Sequence, residues 1–525
     1  MTRKYHPWAA LSALCLGFFM ILLDSSIVNT AVPAMITGLH ASLNEIFWVN
    51  SVYLLTFAVP LLLSGRLGDR FGPRRMYVFG LIVFTLASLW CGFADSATAL
   101  IIARAVQGLG AAALTPQSMA FIVHLFPTNR GAAMGMWAAV AGAATVSGPV
   151  IGGLVVQSIG WEWIFFVNVP VGVVALVLVF TLVPNWQPKH SHRFDVPGIL
   201  LSSLGLLALV FGLQNGQQYH WGTVFGGVTI TEILLGGVAL LVAFVFWQAR
   251  NKREPLLPLA LFTSRSFSFG NMTNLCIGFA MTAQFIPIMI FLQSVRDLTP
   301  LEAGLFSAPV AVLAGVLGPF AGRLSDRING KYIVMVGLAV YALGIGSLSL
   351  FAAPDVNLLL FVPGMVLNGI GIGLIFSPLS ATAIAGLQPR MMGAGSGIFS
   401  MSRQIGNLLG SAGGAVLLQA RLAATMPDAI ATQAATLPAD VRPQFVSAMA
   451  KSVNGIPAGL PENLRHAADT AFQDGFATAM SQTLLLPAGL LVLGLFFSSR
   501  MRNRAQPPQP VVAPARPAEK IAEPA

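Results

Sequence analysis

A chain of 525 residues in which 55% are hydrophobic and only 9% charged, with a mean hydropathy of +0.76, has too few charges to coat a soluble globule. It reads as a polytopic all-α membrane protein. The net charge of +10 does not point to nucleic acid, because no basic run is interleaved with aromatics on a soluble domain.

Taking roughly 20 apolar residues per span, fourteen spans are predicted, centred near residues 20, 55, 85, 110, 145, 175, 207, 237, 280, 313, 343, 368, 405 and 487. Arg3 and Lys4 precede an apolar run that passes through Asp24 to Pro33 without a small-x-small cleavage site, so it reads as the first span and not as a signal peptide. Arg66, Arg70, Arg74, Arg75, Arg130, Lys189, Arg193, Arg250 and Arg323 fall in alternate loops with the amino terminus, which places both termini in the cytoplasm. The expected organisation is a six-helix bundle over 1–188, an inserted helix pair with linkers over 189–264, and a second six-helix bundle over 265–499. Within the last, 419–474 is expected as an external loop with amphipathic helix lying on the outer surface. The Pro- and Ala-rich tail, 500–525, is expected to be disordered.

The two bundles carry related loops. Gly65 to Arg75 reads Gly-Arg-Leu-Gly-Asp-Arg-Phe-Gly-Pro-Arg-Arg, and Gly322 to Arg327 reads Gly-Arg-Leu-Ser-Asp-Arg, five of six residues in common with the start of the first. Internal symmetry of this kind is a transporter signature.

Ionisable residues have been all but removed from the spans, so the survivors are informative. Asp24 lies in span one, Arg104 in span four and Arg403 in span thirteen. A lone charge in hydrocarbon costs about 2.5–3.5 kcal/mol on insertion scales, so such residues face a cavity, pair, or handle ions. Counted inward at about 1.5 Å per residue, Asp24 lies roughly 16 Å and Arg104 roughly 10 Å deep, within reach of one another. A carboxylate that can be switched by a neighbouring Arg is a proton-coupling device; the plainer alternative is an ion pair that only fixes two helices together. Asn29, Gln107, Asn274, Gln284, Asn368 and Gln404, with Arg403, are candidates to line a roomy, mostly apolar substrate cavity. Gly148 and Gly152 share one helix face with Pro149 between them, and Gly153 follows; such smooth contacts let helices slide during gating. Gly369 with Gly373, and Gly406 with Gly410 and Gly414, repeat the spacing. Cys15, Cys91 and Cys276 stand singly in apolar runs, and the chain shows no phosphate-binding loop and no His or Cys cluster with metal spacing. No catalytic residue, metal or cofactor is therefore expected.

These motifs resemble, over essentially the whole chain, the major facilitator superfamily, and within it the fourteen-span drug:proton antiporters of the EmrB/QacA type. Gly65 to Arg75 resembles the loop signature between spans two and three, Arg104 to Gly110 the span-four signature, and Ser147 to Gly153 the span-five antiporter signature. Leu23 to Pro33, and Trp163 to Pro170 (Trp-Ile-Phe-Phe-Val-Asn-Val-Pro), are similar to signatures of the fourteen-span exporters. The chain departs from the pattern at Glu162, where the family has Arg, at Ser26, where it has Thr, and at Asn329, where the first loop has Gly72. The resemblance implies the major facilitator fold, two six-helix bundles plus two inserted helices, in a bacterial inner membrane. It implies alternating access driven by the proton gradient without a cofactor, exporting hydrophobic, often cationic, compounds. It implies that Asp24 and Arg104 serve proton coupling, and that Gly65, Arg66, Asp69, Arg70 and Arg74, with Asp326 and Arg327 in the second copy, serve conformational gating together with Gly148, Pro149, Gly152 and Gly153. The expected partners are a small-molecule substrate, protons and the lipid bilayer; a periplasmic adaptor is not indicated. The competing readings are an exporter or symporter of one specific metabolite and, from another class, a non-transporting membrane sensor.

Overall fold

Proline and glycine set where the helices begin and end. The computed structural model describes residues 6–126, 130–186, 195–216, 218–251, 255–384, 387, 392–450 and 461–502; Lys189, Arg193 and the tail from 503 lie outside them. Helix α1 (Pro7–Thr30) opens on a proline, whose missing N–H is no loss in a first turn, and the short α2 (Val32–Gly38) follows. A reciprocal cap between Ser42 and Glu45 starts α3 (Leu43–Ala58), and Pro60 separates it from α4 (Leu61–Phe71), so the second span is one path in two pieces. Gly72, at φ +96°, turns the chain where an L side chain would be strained, and Pro73 opens α5 (Pro73–Gly92). The first half ends with α6 (Ala97–Leu125), α7 (Arg130–Ile159), α8 (Trp163–Phe166) and α9 (Asn168–Leu182).

A pair, α10 (Val196–Asn215) and α11 (Ile230–Arg250), comes next, joined by a hairpin of β1 (Thr223–Phe225) and β2 (Val228–Thr229). The second half comprises α12 (Arg265–Ile290), α13 (Pro300–Arg327), α14 (Gly330–Leu350), α15 (Phe361–Ile384), α16 (Met392–Thr436), α17 (Arg442–Ala450) and α18 (Glu462–Ser499). Among the described residues, 11 helices are long and apolar enough to cross a membrane. The paths of α3 with α4, α7 and α16 occupy the three other predicted places.

The halves repeat each other in packing as well as sequence. A Cβ on Gly80 would meet the Gly110 carbonyl and Ala113; one on Gly337 would meet the Gly371 carbonyl and Ile375. Gly148 and Gly152 lie against Ser26, Ile27 and Thr30 of α1, as Gly410 and Gly414 lie against Phe279, Thr282 and Ala283 of α12.

Much of 419–474 is helical among the described residues. Helix α16 has 45 residues, about 68 Å at 1.5 Å per residue, and α18 has 38, about 57 Å, both far longer than a hydrocarbon core of about 30 Å. The ends of these helices pack through buried Met426, Ile430, Phe445, Met449, Leu464 and Ala468, in one apolar cluster with residues of the bundle such as Ile27 and Ile277. Arg442 ends α16 by donating to the carbonyls of Ala435 (2.9 Å) and Leu437 (2.7 Å).

The inserted pair is clamped at one end by Asp195. Its carboxylate accepts from Trp247 Nε1 (2.7 Å), Gln248 Nε2 (2.7 Å) and the N–H groups of Gly198 (3.1 Å) and Leu256 (3.3 Å). Burial favours the neutral acid, but these four donors outweigh it and hold the carboxyl below its ordinary range. A depressed carboxyl stabilises the fold above its unfolded value and loses that contribution as pH falls through the folded one. Asp195→Ala is expected to lower stability by about 1–3 kcal/mol at neutral pH by leaving donors unmatched, and thermal unfolding in detergent should show the gap from the parent closing below about pH 4.

Candidate functional site

Asp24 and Arg104 do meet. Both are fully buried, and Arg104 Nη1 stands 2.5 Å from Asp24 Oδ2. The other oxygen, Oδ1, accepts from Gln107 Nε2 at 2.8 Å and Asn168 Nδ2 at 2.9 Å. Gln107, one turn beyond Arg104 on α6, also accepts from Arg104 Nη1 at 2.7 Å, and Arg104 Nε donates to the Val49 carbonyl of α3 at 3.4 Å. The guanidinium lies 4.0 Å from the centroid of the Tyr53 ring. Taking two charges out of water costs several kcal/mol each, which is recovered only where the geometry is good and the remaining donors are used. Helices α1, α3, α6 and α9 each supply part of that geometry, although Arg104 Nη2 is buried with no hydrogen-bond partner among the described residues.

Asn168, Ser88 and Tyr53 are site residues that sequence reasoning missed. Asn168 is the first residue of α9, after the break at Val167, and its Nδ2 is also 3.0 Å from Ser88 Oγ, which in turn donates to the Phe165 carbonyl at 2.9 Å. The available signal was an Asn in the Trp163–Pro170 signature amid apolar residues. Replacing Asn168 by Leu removes one of three N–H donors to Asp24. A hydrogen bond to a charged group is worth about 1.5–3 kcal/mol, so transport by this variant in membrane vesicles is expected to fall about tenfold or more at unchanged expression.

The other predicted residues are placed as follows. Asn29 is half-buried and donates to Ser25 O on its own helix at 3.0 Å. Gln284 and Asn368 are buried and bonded to each other (3.4 Å), with Gln284 donating to Tyr341 Oη at 2.7 Å. Asn274 donates to the Phe399 carbonyl at 2.6 Å, and Gln404 accepts from Asn407 at 2.7 Å. Arg403 is half-buried, its guanidinium 5.4 Å from the Phe376 ring centroid. In the first loop, Gly65 lies against Pro116, Arg70 stands 5.5 Å over the Phe71 ring, and Arg74 Nη2 donates at 2.6 Å to the Phe180 carbonyl near the end of α9. The side chains of Arg66, Asp69 and Asp326 lie outside the described residues; Arg327, the last residue of α13, is exposed.

The two halves touch through these same motifs. Gly153 of α7 lies against the backbone of Pro300 and Leu301, and Gly304 of α13 lies against the Pro149 carbonyl and Val150. Gln293 Nε2 donates to the Thr30 carbonyl at 3.1 Å, at the end of the bundle where α1 finishes. Nearer the middle, Ser411 of α16 bonds Ser51 (2.8 Å) and Asn50 (3.4 Å) of α3. Leu206 and Val210 of α10 are buried in one apolar cluster with Leu54 and Phe57 of α3 and Leu408 and Ala412 of α16, so the inserted pair sits against this second seam.

The sequence profile of the Major Facilitator Superfamily matches residues 14–411. An uncharacterized MFS-type transporter of Mycobacterium tuberculosis is 42% identical over 491 residues, covering 93% of this chain and 80% of that protein. The tetracenomycin C resistance and export protein of Streptomyces glaucescens is 33% identical over 427 residues, 81% of this chain and 78% of that one. The crystal structure of a bacterial homologue of the human lysosomal transporter Spinster, inward-facing and unoccupied, has the same fold at TM-score 0.61 and 16% identity, covering 95% of this chain and 98% of that one.

Proposed function

This chain belongs to the Major Facilitator Superfamily and is a membrane transporter, and from that premise we propose that it exports hydrophobic or amphipathic small molecules in exchange for protons, in the manner of the fourteen-span drug:proton antiporters. The observation that carries the reading is the Asp24 cluster: one carboxylate, fully buried, held by one guanidinium and two amides. A proton arriving on Asp24 cancels the charge that holds Arg104 and exchanges an acceptor for a donor, so Arg104, Gln107 and Asn168 must rearrange. Those residues sit on α6 and α9, and the change reaches α1, whose opposite face lies on Gly148 and Gly152. Protonation is thereby connected to the helix, α7, that meets the other half at Gly153.

With the amino terminus in the cytoplasm of a bacterial inner membrane, as the loop charges favour, the seam at Gly153 and Gly304 closes the outer side. The gating loops of the two halves then lie on the cytoplasmic face, where Arg74 ties α5 to α9. Export is favoured over import by the relative named for resistance and export of an antibiotic. The test is dye accumulation in inside-out vesicles under an imposed proton gradient, parent against Asp24→Asn. Gradient-dependent accumulation by the parent alone supports the reading, and accumulation by neither protein contradicts it.

A further inference from the structure

Among the described residues, the charges inside the bundle do not balance. Among the described residues Asp24 is committed to Arg104 in the one ion pair, and Asp195 is committed to the clamp on α10 and α11. Glu45, Glu232 and Glu302 close capping boxes with Ser42, Thr229 and Thr299 at helix starts. Arg403 is left without a carboxylate within 4.0 Å among the described residues. It is also well inside the bundle, eight residues before Ser411, which is about 12 Å along α16 from the point where the two halves hydrogen-bond.

The placement is a built one. Gly278 of α12 lies against the Arg403 carbonyl, which fixes the backbone, while the side chain reaches across to the Phe376 ring of α15. Gln404 and Asn407, bonded to each other, flank it on α16. A guanidinium beside an aromatic ring offers a planar fork of donors next to a stacking surface, which suits an aromatic acid. Half-buried and without a carboxylate partner among the described residues, this cation repels a cationic ligand and is relieved by an anionic one.

We propose that Arg403 and Phe376 form the charge-reading end of the substrate site, and that the preferred substrates are amphipathic aromatic anions, such as carboxylates, sulfonates or phenolates, and not lipophilic cations. The proposal rests on the transporter reading above. It is tested by equilibrium binding, followed by fluorescence anisotropy, of fluorescein and pyronin Y, xanthene dyes of opposite charge, to the purified full-length protein in detergent. The parent is expected to bind fluorescein about tenfold or more tightly than pyronin Y, a margin typical of one well-placed charge pair. Arg403→Gln should erase that preference, and Arg403→Lys, which keeps the charge and loses the planar fork, should keep part of it. Should Arg403→Gln fail to fold, as judged by thermal unfolding, the parent's preference and the Arg403→Lys result decide. Equal or reversed preference in the parent, no fluorescein binding, or a preference untouched by the substitutions would overturn the proposal. Because binding needs no proton gradient, a preference for the anion without gradient-driven accumulation would reject proton-coupled export and leave this site standing.

Discussion

Asp24→Asn is expected to abolish proton-driven transport while leaving the protein able to bind its substrate. The amide is the same size as the carboxyl and its oxygen can still accept from Gln107 or Asn168, but its NH2 then faces the donor Arg104 Nη1, so the variant holds the cluster in the rearranged form that protonation gives. What is lost is the one carboxylate of the cluster. Gradient-driven accumulation in inside-out vesicles should drop to the level of vesicles without the protein, whereas exchange of labelled for unlabelled dye at equal concentrations should continue. The energetic signature is separable from the transport signature. Removing one partner of a buried ion pair typically destabilises by about 3–5 kcal/mol, because the other charge is left behind. Both Asp24→Asn and Arg104→Gln should therefore unfold at lower temperature than the parent, and the double variant should recover part of that loss. If Asp24→Asn is destabilised yet still accumulates dye under the gradient, the ion pair only fixes α1 to α6.

The second large effect concerns the seam. Gly153 and Gly304 approach the opposite half so closely that a Cβ at either would fall on main-chain atoms, Pro300 and Leu301 in one case and Pro149 in the other. Backbone yields less readily than the end of a flexible side chain. Gly304→Leu should thus prevent the halves from closing at this end. Over-packing of a tight contact costs about 1–3 kcal/mol, which lowers the population of the closed arrangement by roughly 5- to 150-fold, and transport should fall accordingly. The state, and not merely the loss, can be read with a cysteine at Ser51, where α3 meets Ser411. Its labelling by a membrane-impermeant maleimide from outside should rise in Gly304→Leu, over a low background because Cys15, Cys91 and Cys276 are all buried. Unchanged labelling would mean that the seam is not the gate.

How far the molecule is legible in its sequence depends on what each residue costs. The paired loops at Gly65 and Gly322 and the apolar runs between them announce the repeated bundles, because water and hydrocarbon punish exceptions to those patterns heavily. Asp24 and Arg104 stand out for the same reason; their depths put them within reach of one another, and the packing of α1 beside α6 brings them together. Asn168, Ser88 and Tyr53 do not stand out, since a neutral polar group inside a bundle is inexpensive and usually means an ordinary interhelical bond. Gln284 and Asn368 illustrate that ambiguity. As a set of amides they suggested a cavity lining, and the structure bonds them to each other and to Tyr341. The length of α16 and α18 is not legible in their Ala-rich sequence, whose helical propensity says nothing about where the helix ends or how it lies against the membrane.

The central claim, exchange of substrate for protons through Asp24, is tested most directly by following protons in proteoliposomes that carry no membrane potential. They are loaded with whichever of fluorescein or pyronin Y the protein binds more tightly and diluted into weakly buffered medium, where a glass electrode reads the external pH. Outward movement of dye is expected to draw protons inward and make the medium more alkaline with the parent protein, and to leave the pH unchanged with Asp24→Asn. Protons leaving together with the dye, or dye leaving the parent's liposomes with no proton movement at all, would contradict the account.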